Sequence, residues 1–319
     1  MISSSAISVT SRSFSRHQVL RFELLARYPN ARFNDQGLSL NGDALVEFLH
    51  GAEKAVTALE RIDGDILDQL PQLKVVSKYG VGVDMLDLAA MAERGVRLGW
   101  TGGVNKRSVS ELVIAFAISL LRRIPETTSE VQAGTWRQTI GGQISDRCFG
   151  IIGCGHVGKD LGRLLRAFGC RVLANDIVDF PDYYAETGVE PVDLNTLLGT
   201  ADIVTVHVQL DSTTQNILSA DKLRLIPAGG FLINAARGGL VDEDAVKAML
   251  MDGRLAGAAF DVLHSEPPSD FELINLPNVI VTPHIGGSAE EAILNMGRAA
   301  IDGLETARIP TAGSEYWPA

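Results

Sequence analysis

The sequence predicts an α/β protein built on parallel sheets. Three observations carry that prediction. Short apolar runs alternate with helical stretches, glycine and proline mark the changes between them, and one apolar run leads straight into Gly153-Cys154-Gly155-His156-Val157-Gly158. The 319 residues suggest two domains at roughly 150 residues each. A chain of this length can bury a core that needs no disulfide or metal staple.

Early strands are expected at 7–10, 55–59, 75–77 and 96–98, with helices between them that include 18–26, 42–50 and 86–94. A second series starts near Arg107. Its first helix, 108–123, is apolar almost all round and is expected to be buried. Strands follow at 148–152, 171–174, 203–207, 230–234, 257–261 and 279–281, and a last helix at 288–306. The residues from 308 on read as tail. Asp176, His207, Asn234, Asp261 and His284 stand at or just past strand ends, where open parallel sheets bind ligands.

Composition excludes several classes. Apolar residues make up 46% and charged residues 21%, as in an ordinary soluble domain. The net charge is −11 with the basic residues dispersed, so nucleic acid is not an expected partner. The longest strongly apolar run, around 112–121, is about half a membrane span. Cys148, Cys154 and Cys170 form no C-x-x-C pair, and their odd number fits a reducing compartment, here the cytoplasm. The Ser- and Arg-rich start also suits a transit peptide, but cleavage there would remove the strand at 7–10 and the helix at 18–26.

The glycine motif carries the cofactor expectation. It follows Phe149-Gly150-Ile151-Ile152 and opens a helix expected at 159–168. Gly153 allows a tight turn, Gly155 lets backbone approach a pyrophosphate, and Gly158 lets helix and strand pack closely. The helix N-terminus supplies N–H groups and a positive dipole end for that anion. Asp176 falls 23 residues after Gly153, at the end of the next strand, where a carboxylate accepts from the ribose hydroxyls of NAD. Cys154 reads as a small filler side chain.

Three later segments each offer one reactive side chain: Arg237 in Asn234-Ala235-Ala236-Arg237-Gly238-Gly239, Glu266 in Ser265-Glu266-Pro267-Pro268, and His284 in Thr282-Pro283-His284-Ile285-Gly286-Gly287. Together they fit 2-keto acid chemistry. A guanidinium holds a carboxylate with two parallel bonds. An imidazole gives a proton to a carbonyl oxygen as hydride arrives and takes it back in reverse. A carboxylate orients the ring and favours its charged form. No metal is expected.

These segments resemble the D-isomer-specific 2-hydroxyacid dehydrogenases, particularly the phosphoglycerate dehydrogenase-like branch. Further matching motifs are Lys78-Tyr79-Gly80-Val81-Gly82-Val83-Asp84, Asn105 with Ser108-Val109-Ser110-Glu111, and Ala258-Ala259-Phe260-Asp261-Val262. The resemblance spans roughly residues 75–290 and implies two Rossmann-like domains of doubly wound parallel sheet. A substrate domain, 1–100 completed by the C-terminal helix 288–319, would carry an inserted NAD-binding domain, 101–287. The site would lie in a cleft closed by hinge motion.

The same resemblance implies site roles. Arg237, Glu266 and His284 would be catalytic, and Val81, Gly82, Asn105 and Arg237 would bind the substrate. Asp261 would bind the nicotinamide carboxamide. Gly153, Gly155, His156, Val157, Gly158, Asp176, Ile177, His207, Val208, Thr213, Ala235, Ala236, His284, Gly286 and Gly287 would line the rest of the NAD groove. The 108–123 helix would pack across a homodimer interface.

Three departures bear on substrate. Gln209 stands where relatives commonly have Pro. Thr57-Ala58-Leu59-Glu60-Arg61 lacks a well-placed base for a substrate phosphate, and the length leaves no room for the regulatory domain of long phosphoglycerate dehydrogenases. The C3 substituent therefore stays open. Other classes fit less well. Tyr79, Tyr183 and Tyr184 have no Lys four positions on, which argues against the Tyr-x-x-x-Lys enzymes. Corepressor-type NAD(H) sensors keep the same motifs, and they form the alternative from another class.

Overall fold

The structure, a computed structural model, describes residues 5–269 and 271–314. The first part of the chain runs β1 (Ile7–Val9), α1 (Arg12–Arg16), α2 (Gln18–Arg27), β2 (Arg32–Phe33), α3 (Gly42–Leu49), β3 (Lys54–Thr57), α4 (Gly64–Asp68), β4 (Val75–Lys78), α5 (Leu88–Glu93) and β5 (Arg97–Gly99). Next come α6 (Lys106–Arg122), α7 (Ile124–Gln132), β6 (Cys148–Ile152), α8 (His156–Ala167), β7 (Arg171–Asn175), α9 (Pro181–Thr187), β8 (Glu190–Pro191), α10 (Leu194–Thr200) and β9 (Ile203–Val206). The last are α11 (Ala220–Leu223), β10 (Gly230–Asn234), α12 (Glu243–Met251), β11 (Leu255–Phe260), β12 (Val279–Val281) and α13 (Glu290–Thr306). Two compact units result, Met1–Asn105 with Glu290–Ala319, and Lys106–Ala289.

The first unit holds a parallel sheet in the order β2-β1-β3-β4-β5. Successive strand residues face opposite sides, so Val75 packs with Phe14, Leu20, Leu24 and Ile301 while Val76 packs with Leu45, Leu49, Ile66 and Met91. Helix α13 lies close on β4 and β5. The Ser77 hydroxyl donates to the Ala300 carbonyl at 2.6 Å, and a Cβ on Gly303 would collide with that hydroxyl.

The second unit holds a parallel sheet in the order β12-β11-β10-β9-β6-β7-β8. Helices cover both faces. Val113, Phe116, Leu161 and Leu165 pack on one, and Leu197, Leu223, Val246 and Leu250 on the other. Strand order reverses between β6 and β9, so the loops after these two strands flank a crevice at the carboxyl edge of the sheet.

Some expectations change. Helix α8 starts at His156 rather than 159, because the Lys159 N–H already bonds the Gly155 carbonyl at 3.0 Å. Helix α13 starts at Glu290 rather than 288. Helix α6 is buried, as its all-round apolarity predicts. It buries Val109, Val113, Ile114, Phe116, Ala117, Leu120 and Leu121 within its own unit, and Leu112 and Ile118 pack against the same core. Several exposed apolar side chains follow just after it, Ile124, Val131, Trp136 and Ile140, the last two 86% and 96% exposed. The tail expected from 308 begins with a bridge between Arg308 and Leu98, and its residues after 314 lie outside the described part.

Candidate active site

The second unit gathers most of the predicted residues at the carboxyl edge of its sheet. His284 follows β12 in a turn with φ 56°, a left-handed conformation that a β-carbon disfavours. The turn is held by Asp261, 2% exposed at the end of β11. Its Oδ1 accepts from the Thr282 hydroxyl at 2.5 Å and the Ile285 N–H at 2.7 Å, and its Oδ2 from the Gly286 N–H at 2.6 Å. The His284 N–H adds a bond to the Asp261 carbonyl at 2.9 Å. Ser108, at the start of α6, donates to the Gly286 carbonyl at 2.6 Å. A strained backbone persists where its surroundings over-determine it, and here a buried carboxylate does so.

His284 Nδ1 lies 2.8 Å from Glu266 Oε2, with both side chains open to solvent. The other oxygen of Glu266 accepts from the Leu263 N–H at 3.1 Å. With Nδ1 facing the carboxylate, Nε2 is the ring atom left to exchange a proton. Arg237 sits in the loop after β10, folded by Asn234. The Asn234 amide donates to the Arg237 carbonyl at 2.8 Å and accepts from the Ala236 N–H at 3.1 Å. The guanidinium donates to the Ala236 carbonyl at 2.7 Å. A Cβ on Gly238 would collide with the Leu263 carbonyl, so the Arg237 loop rests on the loop that carries Glu266.

The glycine motif lies across the crevice between β6 and β9. Gly153 has φ 94°, and a Cβ there would stand 2.7 Å from the His207 carbonyl group. A Cβ on Gly158 would collide with the Gly153 carbonyl, whereas one on Gly155 would meet nothing within 4 Å. Tight turn, close helix packing and an open approach beside the α8 N-terminus are the features a pyrophosphate needs. His156 is exposed there, and Val157 packs inward against the core. Asp176 follows β7. Its carboxylate accepts from the Cys154 N–H at 2.5 Å and the Val178 N–H at 2.9 Å, and Ile177 beside it is 97% exposed.

His207 is placed for a different role from His284. Its ring Nε2 pairs with the Thr205 hydroxyl at 2.9 Å, and burial pushes its pKa down to about 4. The ring is therefore neutral at ordinary pH. Val208 packs against the core, and Thr213 lies exposed with its hydroxyl turned to Asp211. Cys154 is fully buried, and burial with the Asp176 charge raises its pKa to about 11. It is a filler thiol. Ala235 is buried and Ala236 half-buried at the end of β10. Val81, Gly82 and Asn105 belong to the first unit. Val81 and Gly82 follow β4, and the Val81 carbonyl accepts from the Trp100 indole at 2.8 Å. Among the described residues, no group of three His, Cys, Asp or Glu side chains is placed to hold a metal, and no helix is long and apolar enough to cross a membrane.

Residues 114–286 match the NAD binding domain of D-isomer specific 2-hydroxyacid dehydrogenase. The chain belongs to that family. It is 35% identical to a glycerate dehydrogenase of Methylorubrum extorquens, over 82% of this chain and 85% of that one. It is also 35% identical to a D-3-phosphoglycerate dehydrogenase of Archaeoglobus fulgidus, over 76% of this chain and 46% of that one. The chain spans about half the length of the phosphoglycerate dehydrogenases it matches. In structure it is similar to a putative D-isomer specific 2-hydroxyacid dehydrogenase from Polaromonas, with TM-score 0.85, 26% identity and 95% of both chains covered.

Within this dehydrogenase family frame, the structure adds residues that motif reading had no means to rank. Thr282 and Ser108 are small hydroxyl residues inside the matched motifs, and both brace the His284 turn. Glu243 stands in the first turn of α12 and accepts from the His264 N–H at 2.7 Å. Its sequence signal, an acid at a helix start, is shared with most helices and points to no site.

Proposed function

We propose that the chain is an NAD-dependent oxidoreductase that interconverts a small (R)-2-hydroxy acid and its 2-keto acid. The pairing of His284 Nδ1 with Glu266 Oε2 at 2.8 Å, beside the loop of Arg237, is the observation that carries this reading. Nicotinamide, when bound, supplies or takes up the hydride at C2. His284 Nε2 gives the proton to the carbonyl oxygen in reduction and recovers it in oxidation, while Glu266 fixes the ring and offsets the imidazolium charge.

Arg237 stands in the loop after β10, and its planar guanidinium fork holds the substrate carboxylate. Val81, Gly82 and Asn105 are assigned to the substrate on the motifs they share with the family. The NAD groove comprises Gly153, Gly155, His156, Val157, Gly158, Asp176, Ile177, His207, Val208, Thr213, Ala235, Ala236, Asp261, Gly286 and Gly287. Glycerate dehydrogenase and glyoxylate reductase among the relatives support a short 2-keto acid as substrate. The free thiols of Cys148, Cys154 and Cys170 fit a cytoplasmic setting. A homodimer is proposed as the working form.

The test is NADH oxidation against glyoxylate, pyruvate, hydroxypyruvate, phosphohydroxypyruvate and bulkier 2-keto acids, each beside its amide. At least one acid is reduced and its amide far more slowly. Binding of NADH without turnover of any acid, or equal reduction of acid and amide, overturns the reading.

A further inference from the structure

The loop that carries Glu266 is gripped from outside by a carboxylate that the chemistry above does not use. Glu243 Oε1 accepts from the His264 N–H at 2.7 Å, and Glu266 itself accepts from the neighbouring Leu263 N–H at 3.1 Å. Glu243 is not needed to start its helix. Asp242 is the N-cap of α12, and its side chain accepts from the Ala245 N–H at 2.9 Å. The Glu243 side chain instead leaves the helix and crosses to the loop. Helix α12 begins six residues after Arg237, and Gly238 packs directly on the Leu263 carbonyl. One carboxylate thus ties the segment after Arg237 to the loop that carries Glu266.

We infer that Glu243 is a positioning residue for the His284–Glu266 pair, holding Glu266 against the imidazole and adding a second negative charge behind it. This rests on the acid/base reading of that pair. The charged and titratable groups facing Glu243 are His264 and Glu266 from the loop and Asp244 from its own helix, with Lys247 one turn on, paired to Asp244 and Glu272. Burial raises the Glu243 pKa above the usual glutamate range, while the His264 N–H favours its charged form. When ionised, Glu243 adds to the negative field of Glu266 from behind the loop that carries it.

Two variants separate the bond from the charge. Glu243→Gln keeps an acceptor for the His264 N–H, and Glu243→Ala removes it. Displacing a catalytic group by about 1 Å costs up to about a hundredfold. The expected result is a kcat loss of about ten- to a hundredfold in Glu243→Ala and a smaller loss in Glu243→Gln, with NADH Kd little changed. In both, the alkaline limb of the pH profile for keto acid reduction moves to lower pH, because removing a negative charge makes the imidazolium easier to deprotonate. A limb that superimposes on wild type in both variants overturns the inference, even if rates and thermal stability fall together. If the wild-type chain reduces no 2-keto acid, the acid/base reading fails instead. The NMR titration of the His284 ring then decides the inference by itself: its midpoint falls in Glu243→Gln if Glu243 acts on the pair, and an unmoved midpoint overturns that role.

Discussion

Asp261 and Asp176 are both carboxylates just past a strand end, and their surroundings give them different work. Asp261 is buried and spends three hydrogen bonds on the turn that presents His284. Asp176 is half-exposed and accepts from only two backbone N–H groups, which leaves lone pairs on both oxygens. Those lone pairs suit the two ribose hydroxyls of NAD. The 2′-phosphate of NADP would meet the same carboxylate. Two like charges about 4 Å apart cost roughly 4 kcal/mol at an effective dielectric of 20, or about a thousandfold. Ile177 and Val178 offer no compensating charge. Wild type is therefore expected to prefer NADH strongly over NADPH in kcat/KM, and Asp176→Ser with Ile177→Arg to narrow or reverse the ratio. Comparable use of both cofactors by the wild type would remove Asp176 from ribose recognition.

At the level of elements, the β6–α8–β7 unit was legible because its constraints are local. Gly153, Gly155 and Gly158 each answer a backbone demand within a few residues, and Asp176 follows at fixed spacing. The brace around His284 was not legible, since Asp261 and Thr282 are 21 residues apart and meet only through strand pairing of β11 with β12. The burial of α6 was legible, because a helix apolar on most faces has to be covered. The surfaces that cover it, the sheet and α8, meet it only through the fold. The end of β9 carries a testable consequence. His207 has a folded pKa of about 4 against an ordinary value of 6.5, so the unfolded chain takes up a proton there before the folded chain does. Its contribution to stability is full above pH 6.5 and is lost as pH falls toward 4. Between pH 7 and pH 4.5 the wild type should lose about 2 kcal/mol more than His207→Asn in denaturant unfolding. Parallel pH dependences would show that His207 is not held neutral.

The whole molecule is two parallel-sheet units, each with core on both faces of its sheet. In the second unit the segment after α6 leaves four large apolar side chains exposed, Ile124, Val131, Trp136 and Ile140. Monomers rarely leave several large side chains so exposed in one stretch unless another surface covers them. Light scattering at micromolar concentration is expected to give twice the monomer mass, and Trp136→Ser with Ile140→Ser to shift it toward the monomer. A wild type that is monomeric refutes the homodimer. At the edge of the second unit, His284 is paired with Glu266 and its turn is braced by Asp261. The most direct measurement is keto acid reduction by His284→Ala, with NADH affinity measured beside it. A loss of general acid help lowers kcat by about 10²–10⁴ while NADH Kd changes little; near-normal turnover in that variant would remove His284 from the proton transfer.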